Sequence, residues 1–278
     1  MIDIQNMHFA YRHGKPIFSD LNVTLKAGHI YGLLGKNGAG KTTLLKNITG
    51  LSRIDKGSCL FEGVDTKKRK AQTLDQIFFL PEDVWLPETT IAVYLKIFGP
   101  MWSRFDSTLF YRCLSEFEVD PKAKIKNLSF GQKKKIAISF ALATQTGLLI
   151  MDEPTNGLDI PSKSKFRKLV AELTTDDRCV ILSTHQVRDL DSLIDCVILL
   201  EGQQILINKT THEICEKLHF GNTLTPDSIQ NSLYHELTPL GYAYIQSNTA
   251  HSESKLDLEI LFNYAIQDPK TIQKLLNE

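Results

Sequence analysis

The sequence has little of several features that assign a protein to a class. Its 278 residues include only five cysteines, with no C-x-x-C pair and no metal-ligand spacing. This pattern excludes a disulfide-rich secreted domain and indicates a reducing compartment. The 32 basic and 32 acidic residues leave no net charge, so we expect no nucleic-acid partner recruited by bulk charge. The N-terminus shows no basic region followed by an apolar stretch, and we expect no signal peptide.

Long apolar runs are also scarce. The uncharged stretch 136–151 follows three lysines and imitates a membrane anchor. It is shorter than the roughly 18–20 residues that a membrane span requires, and residues 144–147 interrupt it. We therefore predict a helix end, a turn and a buried strand here, in a chain that is soluble by itself. The hydrophobic fraction of 42% is sufficient for one large core or two modest domains.

A glycine-rich loop at residues 35–42 matches the phosphate-binding pattern G-x-x-x-x-G-K-[ST]. The apolar residues 30–34 before it indicate a buried strand, and the residues after it indicate the first turns of a helix. Glycines let backbone N–H groups converge on an anion, and the helix N-terminus favours negative charge. Lys41 adds a full positive charge, and the Thr42 hydroxyl is placed to bind Mg²⁺. The alternative is a glycine-rich turn without ligand, which the Lys-Thr pair disfavours.

A second pattern is the apolar run 148–151 followed by Asp152 and Glu153. In phosphoryl transfer an aspartate at a strand end holds Mg²⁺ against the phosphates. The neighbouring glutamate can orient or deprotonate the attacking water. Taken alone, the segment is better explained by a strand that ends in a polar turn. The phosphate-binding loop earlier in the chain favours the catalytic interpretation.

A third pattern begins at Ser129. Ser129 and Gln132 have the spacing of a capping box, which predicts a helix that starts here. Gly131 allows close approach of the backbone to an anion, and the lysines at 133–135 raise the local positive potential. Capping boxes are common, so the pattern alone is weak evidence for an anion site. Its position about twenty residues before Asp152 is the main support for that interpretation.

In this order, the motifs resemble those of the nucleotide-binding subunit of an ATP-binding cassette (ABC) transporter. The resemblance covers about residues 1–210. It matches residues 35–42 to the Walker A loop and 128–132 to the family signature. Asp152 and Glu153 match the Walker B aspartate and the catalytic glutamate, and residues 156–159 match the D-loop.

The resemblance implies that ATP and Mg²⁺ are the cofactors. It implies catalytic roles for Glu153, His185 and Lys41, with neutral His185 hydrogen-bonding the γ-phosphate or the attacking water. Without the resemblance, a structural role at a strand end is favoured for His185, and the role of an ordinary strand aromatic for Tyr11. The implied metal ligands are Thr42, Asp152 and Glu82. The implied nucleotide-binding residues are Tyr11, Gly35, Lys36, Asn37, Gly38, Ala39, Gly40, Lys41, Thr42, Thr43, Ser129, Gly131, Gln132 and Asp159.

Two positions depart from the family pattern. Phe130 stands at the third signature position, where glycine is common, while Gly131 is kept. Glu82 stands where the family has a glutamine that meets Mg²⁺ and the attacking water. A carboxylate still binds Mg²⁺ and adds negative charge near the phosphates. The Leu-Pro-Glu version resembles that of branches with export-type partners.

Alternating buried strands and helices favour an α/β fold with a mostly parallel sheet covered on both faces. The resemblance implies a P-loop NTPase (RecA-like) core with an antiparallel β subdomain and a helical subdomain at about 83–140. We predict an ATPase domain over residues 1–210 and a small C-terminal αβ extension of unassigned role over 211–278. The aromatic residues of 89–117 are expected to be mostly core. A minority, among them Trp85 or Trp102, is expected to line a groove for the membrane partner.

The implied function is that of an ATPase subunit that drives a separately encoded membrane permease, more in the manner of an exporter than an importer. Two copies, or this chain and a homologous ATPase subunit, would enclose two Mg-ATP. The chain would lie in the cytoplasm, on the inner face of the membrane. One alternative is a soluble ABC ATPase of cofactor assembly or another process without transport. Another is a nucleotide-sensing module with little turnover, which Asp152, Glu153 and His185 argue against.

Overall fold

The computed structural model describes residues 1–12, 14–249 and 252–277. Its first two strands show the alternation of buried positions that is predicted over residues 3–28, apart from local irregularities. In chain order the strands are β1 Ile2–Ala10, β2 Pro16–Leu25, β3 His29–Leu34, β4 Lys56–Phe61, β5 Val64–Asp65, β6 Ile77–Leu80, β7 Leu148–Asp152, β8 Cys179–Ser183, β9 Cys196–Glu201, β10 Gln204–Thr210, β11 Leu218–Thr223, β12 Tyr234–Thr238 and β13 Gly241–Ser247.

Most helices begin at a residue whose side chain caps the first turn. Ser129 and Gln132 form the predicted capping box, and Asp106, Asp159 and Asp257 accept from backbone N–H groups in the same way. The helices are α1 Lys41–Ile48, α2 Ala71–Leu74, α3 Ile91–Phe98, α4 Ser107–Glu116, α5 Phe130–Ala143, α6 Ile160–Leu173, α7 Thr211–Lys217, α8 Leu258–Gln267 and α9 Pro269–Asn277.

The central sheet has six strands in the order β10-β9-β3-β8-β7-β6. All pairs are parallel except the β9–β10 hairpin at one edge. Strands β7 and β8 are buried at every position, as expected for parallel strands covered on both faces. The mostly parallel α/β sheet predicted from the sequence is confirmed. Parallel strands end at one edge of the sheet, so the segments after β3, β7 and β8 come together there.

Two cores cover the two faces of this sheet. On one face, α1 packs with the antiparallel sheet β2-β1-β4-β5 in a core that includes Phe18, Leu33 and Ile150. On the other face, helices α3 to α6 pack in a core that includes Leu149 and Met151. Alternate residues of β7 therefore enter different cores, which fixes the register of this strand and the position of Asp152 at its end.

Most aromatic residues of 89–117 lie in the core, as predicted. Phe140 of α5 contacts four aromatic rings, those of Phe78, Tyr94, Trp102 and Phe105. Trp102 is part of this cluster, and its indole N–H donates to the carbonyl of Ile77. Trp85, in contrast, is 77% exposed. Of the two tryptophans expected near a partner groove, only Trp85 is therefore an exposed surface residue.

The C-terminal segment is an αβ unit packed on the larger α/β core. Its sheet has the order β11-β13-β12, and α7, α8 and α9 contribute buried residues to the larger core. The stretch 256–261, which suggests either a strand or a helix, contains the start of α8. The uncharged stretch 136–151 forms the end of α5, a turn and β7, as predicted. Within residues 1–12, 14–249 and 252–277, every helix is too short or too polar to cross a bilayer.

The burial of the cysteines predicts their reactivity. Cys59, Cys113, Cys179 and Cys196 are buried, and burial raises the pKa of the Cys59 and Cys113 thiols to about 11. Because the thiolate is the reactive form, we expect these four to resist a thiol reagent at neutral pH in the native protein. The half-buried Cys215 is expected to react first.

Mass spectrometry after a labelling time course tests this expectation. Denatured protein is the control and should label at all five cysteines. Rapid native labelling of any of the four buried cysteines would contradict the packing described above.

Candidate functional site

The phosphate-binding loop joins a buried strand to a helix, as the sequence predicts. Strand β3 ends at Leu34, and α1 begins at Lys41. Gly38 and Gly40 have φ of 82° and 102°, in the left-handed region that favours glycine. A Cβ on Gly40 would lie 2.8 Å from Ile17 of the antiparallel sheet. Glycine at position 40 therefore allows both the turn into α1 and the close packing of the loop on its neighbour.

Lys41 is buried, and its ammonium group lies under the loop. Nζ donates to the carbonyl oxygens of Gly35 at 2.8 Å and Lys36 at 3.3 Å. Burial lowers the Lys41 pKa, while the negative charges of Glu153, Asp152 and Glu82 oppose that shift. The loop thus holds a lysine that faces three carboxylates and lines the same cleft.

Asp152 is held by hydroxyl groups from two directions. Thr42 Oγ1 donates to Asp152 Oδ2 at 2.6 Å, and Ser183 Oγ donates to Asp152 Oδ1. The first hydroxyl belongs to α1 and the second to the end of β8. This buried carboxylate is hydrogen-bonded on both oxygens, which offsets the cost of its desolvation.

Glu153 has an unusual backbone conformation for a glutamate, with φ of 45°. Its N–H group lies 3.2 Å from both the carbonyl oxygen and Oγ of Ser183. Non-glycine residues in this region cost of order 1–3 kcal/mol and persist only where neighbours fix them. The conformation turns the buried Glu153 side chain toward the loop that follows β8.

His185 lies in that loop, next to Glu153. Its Nδ1 is 2.8 Å from Glu153 Oε1, and Thr184 Oγ1 donates to Oε2 of the same carboxylate at 3.4 Å. A carboxylate only accepts hydrogen bonds, so this contact places a proton on Nδ1. In the neutral imidazole, Nε2 is then a hydrogen-bond acceptor.

These groups line one cleft of about 540 Å³, a volume typical of small-molecule sites. Tyr11 lies at its wall, packs edge-on against Phe9 and hydrogen-bonds Thr43 Oγ1 through its hydroxyl at 3.2 Å. Glu82 lies on another wall and accepts from Asn156 Nδ2 at 2.9 Å. The cleft residues are Tyr11, Ile17, Asn37, Gly38, Gly40, Lys41, Thr42, Thr43, Glu82, Asp152, Glu153 and His185.

Other residues predicted from the sequence do not line this cleft. Gly35 and Ala39 lie in the loop behind it, and the Lys36 side chain pairs with Glu201 at 3.2 Å. The signature residues Ser129, Gly131 and Gln132 begin α5, and Asp159 caps α6. All four lie outside the cleft of their own chain.

The signature turn and the D-loop nevertheless form one surface. A Cβ on Gly131 would lie 2.8 Å from the carbonyl oxygen of Gly157, and the ring of Phe130 packs against Gly157 as well. Phe130 is 53% exposed. Lys134, expected to add positive potential here, is instead fully buried and donates to the carbonyl oxygen of Glu82 at 2.9 Å. Its charge is therefore directed toward the cleft wall.

Sequence reasoning missed several residues of the cleft and its supports. Ser183 and Thr184 support the two carboxylates, Asn156 holds Glu82, and Ile17 lines the cleft. Ser183 and Thr184 do carry a signal, since two hydroxyl residues stand between a buried strand and His185. Ile17 and Asn156 reach the site only through tertiary packing.

Oxygen atoms dominate the donor set at the base of the cleft. The Thr42 hydroxyl and the Asp152 carboxylate lie 2.6 Å apart, and Glu82 lines the same space. Mg²⁺ prefers oxygen ligands of this kind. The residues present therefore fit a bound Mg²⁺.

Comparisons with known proteins agree with this geometry. The family model described as ABC transporter matches residues 18–156, half of the chain. The linearmycin resistance ATP-binding protein LnrL of Bacillus subtilis is 30% identical over all of this chain and 90% of its own length. The chain belongs to the ABC transporter family. It therefore carries the ATP-binding ATPase domain of these transporters.

Two further proteins illustrate the similarity of the ABC domain. The lantibiotic transport ATP-binding protein SrtF of Streptococcus pyogenes is 29% identical over 74% of this chain and 90% of its own length. A solved structure of a putative ABC transporter ATP-binding protein from Pyrococcus furiosus is 28% identical, with a TM-score of 0.62. The match covers 72% of this chain and 96% of that one.

The two hydroxyl contacts to Asp152 predict the effect of Ser183→Ala. Without Ser183 Oγ, one oxygen of the buried carboxylate loses its donor, and the side chain is less well oriented toward Mg²⁺. We expect the apparent Mg²⁺ affinity in ATPase assays to fall by about tenfold or more, as for other groups that orient a metal ligand. Titration of Mg²⁺ at saturating ATP measures this change.

Ser139→Ala is a matched control. Ser139 is also a buried serine, but its hydroxyl donates only to the carbonyl oxygen of Lys135 within α5. An equal loss of Mg²⁺ affinity in both variants, or none in Ser183→Ala, would contradict the orienting role of Ser183.

Proposed function

We propose that this chain is the ATP-hydrolysing subunit of an ABC transporter, with an ATPase domain over residues 1–210. The observation that carries the proposal is the single cleft that joins the phosphate-binding loop, the Asp152–Glu153 pair and His185. Strand β10 ends at Thr210 and α7 begins at Thr211, which supports the boundary between the ATPase domain and the segment 211–278.

ATP would bind with its phosphates in the loop and its adenine against Tyr11. Lys41 and the backbone N–H groups at the start of α1 would meet the outer phosphates. Thr42, Asp152 and Glu82 would hold Mg²⁺, which supplies charge neutralisation and polarises a phosphoryl oxygen when bound. Asp152 suits this role because Thr42 and Ser183 already fix its carboxylate.

Glu153 would accept a proton from the water that attacks the γ-phosphorus. Its carboxylate is buried beside Lys41 and held by His185 and Thr184. With the proton of His185 on Nδ1, Nε2 accepts a hydrogen bond. This favours contact of neutral His185 with the attacking water, because phosphate oxygens are themselves acceptors.

A second copy, or a homologous ATPase subunit, would complete the site. Ser129, Gly131, Gln132 and Asp159 do not line the cleft of their own chain, yet Gly131 meets the D-loop on one surface. The N-terminus of α5 at this surface is suited to a phosphate of nucleotide bound to the opposite subunit. ATP would then join the two subunits through charge compensation, and hydrolysis would release them.

A membrane permease would be the further partner, with the chain held at the cytoplasmic face. Exposed apolar side chains at the start of the predicted helical subdomain support this, because such groups on a surface indicate a contact site. They are Trp85, Val93, Ile97 and Met101. Export is the direction we propose, since the relatives LnrL and SrtF are named for linearmycin resistance and lantibiotic transport.

Lys41→Ala tests whether the phosphate-binding loop binds ATP. Removal of the buried ammonium group takes away the mobile positive charge that meets the phosphates. We expect ATP affinity, measured by isothermal titration in the presence of Mg²⁺, to fall by about tenfold or more, since charge-assisted contacts to phosphate are strong. Lys56→Ala is the control, because Lys56 is an exposed lysine of β4 that does not line the cleft. Wild-type affinity in Lys41→Ala would contradict the role of Lys41.

Glu153→Gln tests the catalytic carboxylate. Glutamine keeps the size of the side chain but accepts no proton from water. We expect ATP binding to persist and turnover to fall by about 10²–10⁴-fold, the range of a lost general base. Steady-state phosphate release together with nucleotide binding separates these effects. Full turnover in this variant would refute the proposed role.

Glu153→Gln also tests whether two subunits pair around ATP. Because it binds ATP without turnover, it is expected to accumulate as a dimer with Mg-ATP and to remain a monomer without nucleotide. Light scattering coupled to size exclusion measures the mass. Adding Ser129→Arg is expected to block pairing but leave ATP binding intact, since Ser129 lies outside the cleft. The same molecular mass with and without Mg-ATP would contradict the proposal that ATP joins the two subunits.

A further inference from the structure

His185 is carried by an irregular segment rather than by a strand. Strand β8 ends at Ser183, and the chain then forms the short 3₁₀ turn Val187–Asp189, here called the switch turn. Gln186, between His185 and this turn, has φ of −101° and ψ of 78°, outside the helical and extended regions. The position of His185 therefore depends on the groups that hold the switch turn.

On its inner side, the switch turn is tied to the end of β7. Asp189 Oδ2 accepts from Thr155 Oγ1 at 2.9 Å and pairs with Lys163 Nζ at 2.7 Å. Both members of the ion pair are mostly buried. Thr155 follows Glu153 by two residues, so this contact links the segments that carry Glu153 and His185.

On its outer side, the switch turn meets the C-terminal segment. Arg188 Nε donates to Glu259 Oε2 at 2.6 Å, and Glu259 lies in the first turn of α8. A second ion pair lies beside it, with Lys255 Nζ 3.5 Å from Asp191 Oδ2. The C-terminal segment therefore contacts the chain on both sides of Leu190, five residues from His185.

Helix α8 is a firm support for this contact. Leu258, Ile260 and Leu261 are buried in the core, so the helix cannot shift without exposing apolar surface. A cavity of about 590 Å³ lies between α8 and the switch turn, and His185, Arg188 and Glu259 all line it. The turn thus has open space on the side of α8, and the Arg188–Glu259 pair restrains it there.

We propose that Arg188 and Glu259 are positioning residues that hold the switch turn so that His185 remains in contact with Glu153. The proposal rests on the proposed ATPase function and gives the segment 211–278 a role in turnover. Neither residue lines the nucleotide cleft. Arg188 is 86% exposed, so the pair adds little to global stability, and its effect is on local geometry.

Glu259→Gln and Arg188→Gln test this role. We expect kcat for ATP hydrolysis to fall by about two- to fivefold in each, because an exposed ion pair restrains the switch turn with only modest free energy. The KM for ATP should stay within about twofold, because no nucleotide contact is lost. Arg188→Lys keeps the positive charge beside Glu259 and should retain most of the activity.

Glu172→Gln is the matched control. Glu172 also forms an exposed ion pair with an arginine, Arg112, and neither residue lines the cavity beside the switch turn. Its kcat should equal that of the wild type. Hydrogen exchange of the amides of residues 185–190 should be faster in Glu259→Gln than in the wild type or in Glu172→Gln.

Wild-type kcat in both Glu259→Gln and Arg188→Gln, or an equal loss of kcat in Arg188→Lys and Arg188→Gln, would overturn the positioning role. Unchanged hydrogen exchange at residues 185–190 would also overturn it. These outcomes are distinct from failure of the proposed function, in which the wild-type chain itself would hydrolyse no ATP. Thermal unfolding of all variants checks that each is folded.

Discussion

The structure depends on the hydrogen bonds that hold the Asp152 carboxylate at the end of β7. The Thr42 hydroxyl links the phosphate-binding loop and α1 to this carboxylate, and the Ser183 hydroxyl links the end of β8 to it. A buried carboxylate without such donors would be costly, so the three segments are stable in this arrangement only together. The arrangement places Lys41 and Glu153 in the same cleft, and the charges of the two groups partly compensate each other.

Apolar burial supplies the rigidity that this polar network requires. Residues Leu148, Leu149, Ile150 and Met151 are fully buried, and side chains of this kind contribute roughly 1.5–3 kcal/mol each. Because their side chains alternate between two cores, a shift of β7 by one residue would move every side chain to the other core and lose much of the present packing. The same rigidity allows Glu153 to keep its left-handed backbone conformation, which directs its carboxylate to His185. The fold thus holds a strained residue at the point where chemistry is proposed.

Local patterns predicted much of this architecture. The capping box of Ser129 and Gln132 predicted the start of α5, and the apolar run before Asp152 predicted β7. Contacts between distant segments left no such pattern. Nothing in the spacing of Glu82 and Asn156 indicates their hydrogen bond, and the two hydroxyl residues before His185 do not reveal that Ser183 holds Asp152. The burial of Lys134 and Trp102, and the packing of α8 against the switch turn, likewise result from tertiary packing that one sequence does not reveal.

A crystal structure with an ATP analogue and Mn²⁺ in place of Mg²⁺ tests the central claim most directly, because anomalous scattering locates the metal. We expect Mn²⁺ to bind Thr42 Oγ1 and to lie beside the Asp152 carboxylate, with the direct Thr42–Asp152 hydrogen bond replaced by contacts to the metal. Ser183 should still donate to Asp152. A metal bound elsewhere, with the Thr42–Asp152 hydrogen bond intact, would contradict the account.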